Sequence, residues 1–265
     1  MMSWHDLAAE LLQAEKKVSP IEPLSERDKS LDLEGAYRIQ MQNVKSGESN
    51  GRVLTGYKIG LTSREAQSHF NVFEPDFGHL FGDMAVPTDG ELNLSQLIQP
   101  KIEGEIAFVL EHELKGPGVT SAQAIRAVAG AMVSMEVVDS RIKDWKIKAV
   151  DTIADNGSSA RFILSNEIIP LDQLDLANAG MALSCNGEVQ LTASGAAVMG
   201  HPINALVFLA NELGSRGIGL QPGQVILSGS LGGMISLREN DYYQCEVLGL
   251  GSVRVKTTRS LVGGA

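Results

Sequence analysis

Two strongly apolar runs in this chain carry glutamates, and any fold it adopts must find those charges a partner. The first is Ile102-Glu103-Gly104-Glu105-Ile106-Ala107-Phe108-Val109-Leu110, and the second is Ala131-Met132-Val133-Ser134-Met135-Glu136-Val137-Val138. Both have the length and texture of interior strands. Side chains alternate along a strand, so Glu103 and Glu105 share one face, roughly 6.6 Å apart along it. Gly104 leaves the opposite face bare, which suits close approach of another backbone. Taken alone, the pair also fits the solvated face of an edge strand, because charged residues are mostly exposed. Glu136 tips the balance, since a buried carboxylate is retained only with a partner. Metal coordination is one such partner, and a salt bridge to Lys58 or Arg141 is the other. Three converging carboxylates make an oxygen-only donor set, which suits Mg²⁺ or Mn²⁺ over zinc or copper.

The rest of the composition permits an ordinary enzyme and excludes several other classes. With 265 residues, 43% apolar and 20% charged, the chain can bury one large core without staples. Aromatic residues are only 5%, so that core must be mostly Leu, Ile, Val and Ala. A formal charge of −10 argues against nucleic acid or an anionic membrane as a partner. It also means that an anionic substrate needs a local cation. Cys185 and Cys245 have no metal-like spacing and read as reduced thiols. The first residues lack the basic-then-apolar pattern of a signal peptide, and no apolar run reaches membrane-spanning length. The expectation is a soluble cytoplasmic protein.

Ser3 is placed to cap a first helix bearing Leu7, Ala8, Leu11 and Leu12, and Asp32 a second bearing Ala36, Ile39, Gln40 and Asn43. The run Gly47-Glu48-Ser49-Asn50-Gly51 then reads as a boundary between a helical segment, 1–50, and a β-rich part, 51–265. Strands are expected at Val53–Leu61, Ile102–Leu110, Met132–Val138, Ala160–Leu164, Met181–Cys185, Glu188–Leu191, Val225–Ser228, Tyr242–Leu248 and Ser252–Lys256. Asn186-Gly187 is a two-residue hairpin signal between two of them. One helix is expected near Ser121 with Ala124, Ile125 and Val128. Another follows Pro202 with Ile203, Leu206, Val207, Ala210 and Leu213, stopped by Gly214. Strands and helices do not alternate regularly, which rejects a doubly wound sheet or a (β/α)₈ barrel and predicts α+β.

Lys58 is a lone cation among apolar residues, either a snorkelling surface lysine or a charge beside a metal and an anionic substrate. Asp76, after Pro75, reads by itself as a turn residue. There is no H-E-x-x-H, no Walker A loop and no G-x-S-x-G elbow, and Gly249-Leu250-Gly251-Ser252 fails as a dinucleotide fingerprint.

At these residues the sequence resembles a known family. The segments are G-Y-K-I-G-L-T-S (56–63), P-D-F-G-H-L-F-G-D-M (75–84), P-K-I-E-G-E-I-A-F-V-L (100–110), M-E-V-V-D-S-R-I-K-D-W (135–145), D-T-I-A-D-N-G-S (151–158), G-H-P-I-N-A-L (200–206) and V-I-L-S-G-S-L (225–231). In that order they are similar to the 2-oxopent-4-enoate (2-hydroxypenta-2,4-dienoate) hydratases of the fumarylacetoacetase superfamily. The resemblance implies a fumarylacetoacetase C-terminal-like mixed β-sandwich roll with a helical N-terminal segment, assembled as a homo-oligomer. It implies Mg²⁺ or Mn²⁺ on Glu103, Glu105 and Glu136, catalytic roles for Lys58 and Asp76, and substrate contacts from Asp155, Ser158 and Gly229. Gly157 departs from the alanine expected there and should loosen its loop slightly.

The implied reaction adds water to a small anionic 2-hydroxydienoate in meta-cleavage breakdown of aromatic compounds, giving a 4-hydroxy-2-oxo acid. A pathway decarboxylase or aldolase is the implied partner enzyme. Sister activities are a 4-oxalocrotonate-type decarboxylase and an acylpyruvate-type C–C hydrolase. Phe77, Leu80 and Phe81 should supply apolar bulk near Asp76, favouring an uncharged substrate tail.

Overall fold

A computed structural model describes residues 3–259. Its helical cover forms for local reasons. Helix α1 (Trp4–Lys17) starts at Ser3, which exchanges reciprocal capping bonds with Asp6, and stops where Val18 turns left-handed. After a short α2 (Leu24–Arg27), Asp32 caps α3 (Leu33–Ser49) by accepting the Gly35 N–H. Leu7 and Leu11 of α1 and Ala36 and Ile39 of α3 are buried in the same core as the strands.

The strands and later helices follow in the order β1 (Leu54–Gly60), α4 (Arg64–Phe70), β2 (Asp76–Phe81), β3 (Ala85–Pro87), β4 (Gly90–Asn93), β5 (Lys101–Leu110), α5 (Ser121–Ala127) and β6 (Val128–Val138). The order continues with α6 (Ala149–Ala154), β7 (Ser159–Leu164), β8 (Gly180–Cys185), β9 (Glu188–Ser194), α7 (Ile203–Ser215), β10 (Val225–Ser230), β11 (Ile235–Ser236), β12 (Tyr242–Val247) and β13 (Gly251–Thr258).

They build two mixed sheets. The larger runs β2-β1-β10-β5-β6-β7-β3, with β11 also on β5, and the smaller runs β4-β13-β12-β8-β9. Parallel pairs (β1–β10, β3–β7 and β13–β4) sit among antiparallel ones. The sheets pack face to face, with β12 and β13 over β6 and β8 over β5. Gly104 makes that approach possible. A Cβ there would lie 2.7 Å from Cys245 Sγ and 3.2 Å from Met181 Sδ, so any side chain would push the smaller sheet away. The architecture is the expected sandwich roll with helices.

Several local expectations change. Asp76 is no turn residue; it opens β2, where it pairs with Gly60. Val128 begins β6 rather than ending α5, and Ile125 is exposed. Gly214 does not stop α7, which continues to Ser215 before Gly217 (φ +81°) turns the chain. Instead Gly214 lets α7 touch Gly116, whose carbonyl carbon a Cβ would approach to 2.3 Å. Helices α4 and α6 had no periodic signal because α4 buries no residue while α6 buries nearly all of its own. The Asn186-Gly187 hairpin forms as expected, both residues having positive φ. Both cysteines are free. Among the described residues, no helix is long and apolar enough to cross a membrane.

Candidate active site

Strand β5 lies between β10 and β6, so its glutamates are not on an edge. Glu103 pairs directly with Glu136 across the β5–β6 ladder, and Glu105 faces Ser134 on one side and Ser230 on the other. This register brings three buried carboxylates together. One oxygen of each lies within 4.8 Å of the others. Glu105 Oε2 accepts the Gly229 N–H at 2.9 Å, Glu105 Oε1 and Glu136 Oε1 have no hydrogen-bond partner, and Glu136 Oε2 has only the Lys58 ammonium as an ion-pair partner. Buried acceptors without donors are costly, and an oxygen-seeking cation is what this set would satisfy.

Lys58 and Asp76 arrive from β1 and β2, on the far side of β10 from β5. Lys58 Nζ lies 3.3 Å from Glu136 Oε2, in ion-pair range, and the lysine is only 4% exposed. The surface-lysine reading therefore fails, and so does a pairing of Glu136 with Arg141. Gly60 makes the Lys58–Asp76 approach possible, since a Cβ there would sit 2.2 Å from Asp76 Oδ1 and 3.3 Å from Lys58 Nζ. Four buried carboxylates thus surround one ammonium.

The electrostatics follow from that imbalance. Burial raises the Glu103 pKa to about 7, helped by the charge of Glu136, and lifts Glu105 well above the ordinary range for the same reasons. Burial also raises Asp76, although Lys58 opposes it. For Lys58, burial pulls the pKa down, yet Glu136, Asp76, Glu103 and Glu105 together outweigh it, and the net shift is upward.

A carboxylate whose folded-state pKa is raised favours the fold most below its unfolded value, and that contribution is lost as pH climbs through the folded pKa. The metal-free protein should therefore lose stability from about pH 4.5 to about 7, where a cation replaces the missing protons. Added Mg²⁺ or Mn²⁺ is expected to raise the melting temperature by a few degrees at a hundredfold excess over Kd. The rise should grow between pH 5.5 and 8, and Glu105→Ala should remove it. Identical melting curves with and without added Mg²⁺ or Mn²⁺, on protein shown to be metal-free at the start, would overturn the site.

Of the triad, Glu103 lines a pocket together with Lys58 and Asp76, with Thr152, Ser158 and Ser230, and with Leu61, Phe70, Trp145, Ile147 and Met234, while Glu105 and Glu136 lie behind it. Ser158 is among the residues that line this pocket. Asp155 and Gly229 stand behind the wall instead. Asp155 is ion-paired to Arg141, and Gly229 supports Glu105 through its N–H. Phe77, Leu80 and Phe81 do not supply the apolar lining. Phe77 stacks on Tyr37 with ring centroids 4.6 Å apart, and Leu80 and Phe81 fill a separate core cluster. Nor is the Gly157 loop loose, because the Asn156 side chain bonds both the N–H and the carbonyl of His79. Sequence reasoning did not find Phe70 or Met234, which lie on segments with no periodic or motif signal.

The fold and this carboxylate pocket define a family. Residues 61–258 match the fumarylacetoacetate (FAA) hydrolase C-terminal family, and the chain belongs to it. Within it, the chain is 41% identical to 2-keto-4-pentenoate hydratase of Paraburkholderia xenovorans (strain LB400), over 98% of this chain and 96% of that one. It is 39% identical to 2-hydroxyhexa-2,4-dienoate hydratase of Comamonas testosteroni, over 94% and 95%. Its fold is similar to 4-oxalocrotonate decarboxylase from Pseudomonas putida G7 complexed with magnesium and adipate. The TM-score is 0.94 and the identity 32%, over 97% of this chain and 99% of that one.

Proposed function

We propose that this protein is a metal-dependent hydro-lyase that adds water to 2-hydroxypenta-2,4-dienoate or a close homologue, giving a 4-hydroxy-2-oxo acid. The observation that carries the reading is a pocket in which one cation, Lys58, and the carboxylates of Asp76 and Glu103 share the lining with Leu61, Phe70, Trp145, Ile147 and Met234. Glu103, Glu105 and Glu136 would hold Mg²⁺ or Mn²⁺, which when bound supplies Lewis-acid stabilisation to the oxygen on C2. Near-full-length likeness to hydratases supports the choice of reaction.

The chain's own groups divide the remaining work. The Lys58 ammonium, fixed beside Glu136, offers a preorganised positive charge to the substrate's anionic oxygens. Asp76 lines the pocket and its buried Oδ1 has no hydrogen-bond partner, so Asp76 is the group that holds and moves a proton. Ketonisation takes the proton from the 2-hydroxyl and adds one at C5. Water then bonds to C4 while C3 takes a proton, so the net change is one added water. The Ser158 and Thr152 hydroxyls orient that water. Asp155 and Gly229 serve from behind, one holding Ser158 and the other Glu105.

The same proposal includes a cytoplasmic homo-oligomer in meta-cleavage catabolism, acting beside a decarboxylase or aldolase. Residues 1–50 form its helical cover and 51–265 its catalytic part. Gln40 ties the two, its amide donating to the carbonyls of Phe77 and Ile153.

The test is turnover of the monoacid in ¹⁸O-labelled water with Mg²⁺ or Mn²⁺. The expected product is 4-hydroxy-2-oxopentanoate carrying label at C4, and unlabelled or absent product would reject hydration. Close structural likeness to the decarboxylase keeps CO₂ loss from a diacid as the second reading.

A further inference from the structure

Between α6 and β7 the backbone makes three consecutive left-handed residues, Asn156 (φ 58°), Gly157 (φ 61°) and Ser158 (φ 55°). Two of the three are not glycine, so the surroundings must hold a conformation the chain would otherwise leave. What holds it is buried behind the pocket. Arg141 Nε donates to Asp155 Oδ1, Nη2 donates to the Asp155 carbonyl, and Nη1 donates to the carbonyls of Asp139 (2.8 Å) and Ser159 (3.1 Å). Asp155 Oδ2 accepts the Arg141 N–H at 3.0 Å and the hydroxyls of Ser140 (3.4 Å) and Ser158 (3.3 Å). Ser158 Oγ in turn lies 3.4 Å from Thr152 Oγ1, and both line the pocket. Arg141 does not line it.

We infer that Arg141 is a positioning residue, acting through Asp155 to fix both the place and the polarity of the Ser158 hydroxyl. The polarity follows from proton counting. A serine has one hydroxyl proton, and Ser158 directs it as a hydrogen bond to the Asp155 carboxylate that Arg141 pairs. Ser158 therefore presents only lone pairs to the pocket and accepts a hydrogen from whatever stands there. For a water that must attack with its own lone pair, an acceptor behind it is the productive arrangement. This inference rests on the proposed reading of the pocket, in which Ser158 meets the attacking water. Rigid support of this kind matters because small displacements of an orienting group cost rate steeply.

The test is a double-mutant cycle on the metal-loaded protein. Arg141→Lys and Ser158→Ala are each expected to lower kcat about 10- to 100-fold with KM changed less than threefold. The double variant should be no slower than the slower single one, because both act through one hydroxyl. Mn²⁺ affinity should stay within twofold of the parent, since the sheet alone holds the three glutamates. Multiplicative losses, or near-parent turnover in Arg141→Lys, would overturn the role. Should Arg141→Lys fail to fold, Asp155→Asn tests the same point. An asparagine that keeps its oxygen on Arg141 Nε turns an amide donor toward Ser158 and toward the Arg141 N–H, which reverses the hydroxyl and loosens the Arg141 pairing, so it should show the same loss and the same non-additivity. If the parent turns over a diacid instead of the monoacid, the cycle is read on that reaction. A failed hydratase assignment and a failed positioning role therefore give different results.

Discussion

Lys58→Met is expected to lower kcat by about a thousandfold or more while the metal-loaded fold survives. The size of the loss follows from where the ammonium sits. It is buried, 3.3 Å from Glu136 and beside Asp76, in a pocket that must accept an anion although the whole chain carries a formal charge of −10. Methionine keeps the unbranched shape, one heavy atom shorter, and removes the charge together with its N–H donors. Without metal, the variant should melt lower than the parent, because removing one partner of a buried pair costs about 3–5 kcal/mol. The sign is consistent: a lysine whose folded pKa is raised contributes stability throughout the neutral range, lost only as pH rises above the ordinary lysine range. Mn²⁺ should bind at least as tightly, since a competing cation is gone. Near-normal turnover would remove Lys58 from the mechanism and leave it an internal counter-charge.

The second large effect separates hydration from decarboxylation. Among the described residues lining the pocket, Lys58 is the cation, and it is held against Glu136. The apolar part of the lining is Leu61, Phe70, Trp145, Ile147 and Met234. A second carboxylate placed there would be buried without a counter-charge, at a cost of several kcal/mol, or a factor of about a thousand. We expect kcat/KM for 2-hydroxypenta-2,4-dienoate or its methyl homologue to exceed that for 2-oxohex-3-enedioate by about that factor. The two acids are supplied separately, and CO₂ and hydroxylated product are both followed. Rapid CO₂ release from the diacid with little hydration of the monoacid would favour the sister reaction. Lys101, whose Nζ lies 4.4 Å over the Trp145 ring, would then be the first residue to mutate.

Much of the site was legible in the sequence because its chemistry conflicts with its surroundings. Glu103, Glu105, Glu136 and Lys58 stand out as charges in segments whose texture demands burial, and a buried charge requires a partner wherever the chain goes. Period-two spacing put Glu103 and Glu105 on one face, and caps at Ser3 and Asp32 marked the helices that cover the core. Those are local properties, fixed by stereochemistry within a few residues.

Tertiary structure decided everything that depends on which strands become neighbours. Register alone sets Glu103 against Glu136, and the sheet order alone puts Lys58 rather than Arg141 beside it. It also turned Asp76 from an apparent turn residue into a strand residue facing the lysine, and sent Phe77 away to stack on Tyr37. The resemblance implies a substrate contact for Asp155, whereas its carboxylate points to Arg141, fourteen residues earlier. A sequence states that a charge must be paired. Only the packed chain, where long-range contacts compete for the same few ångströms, states with what.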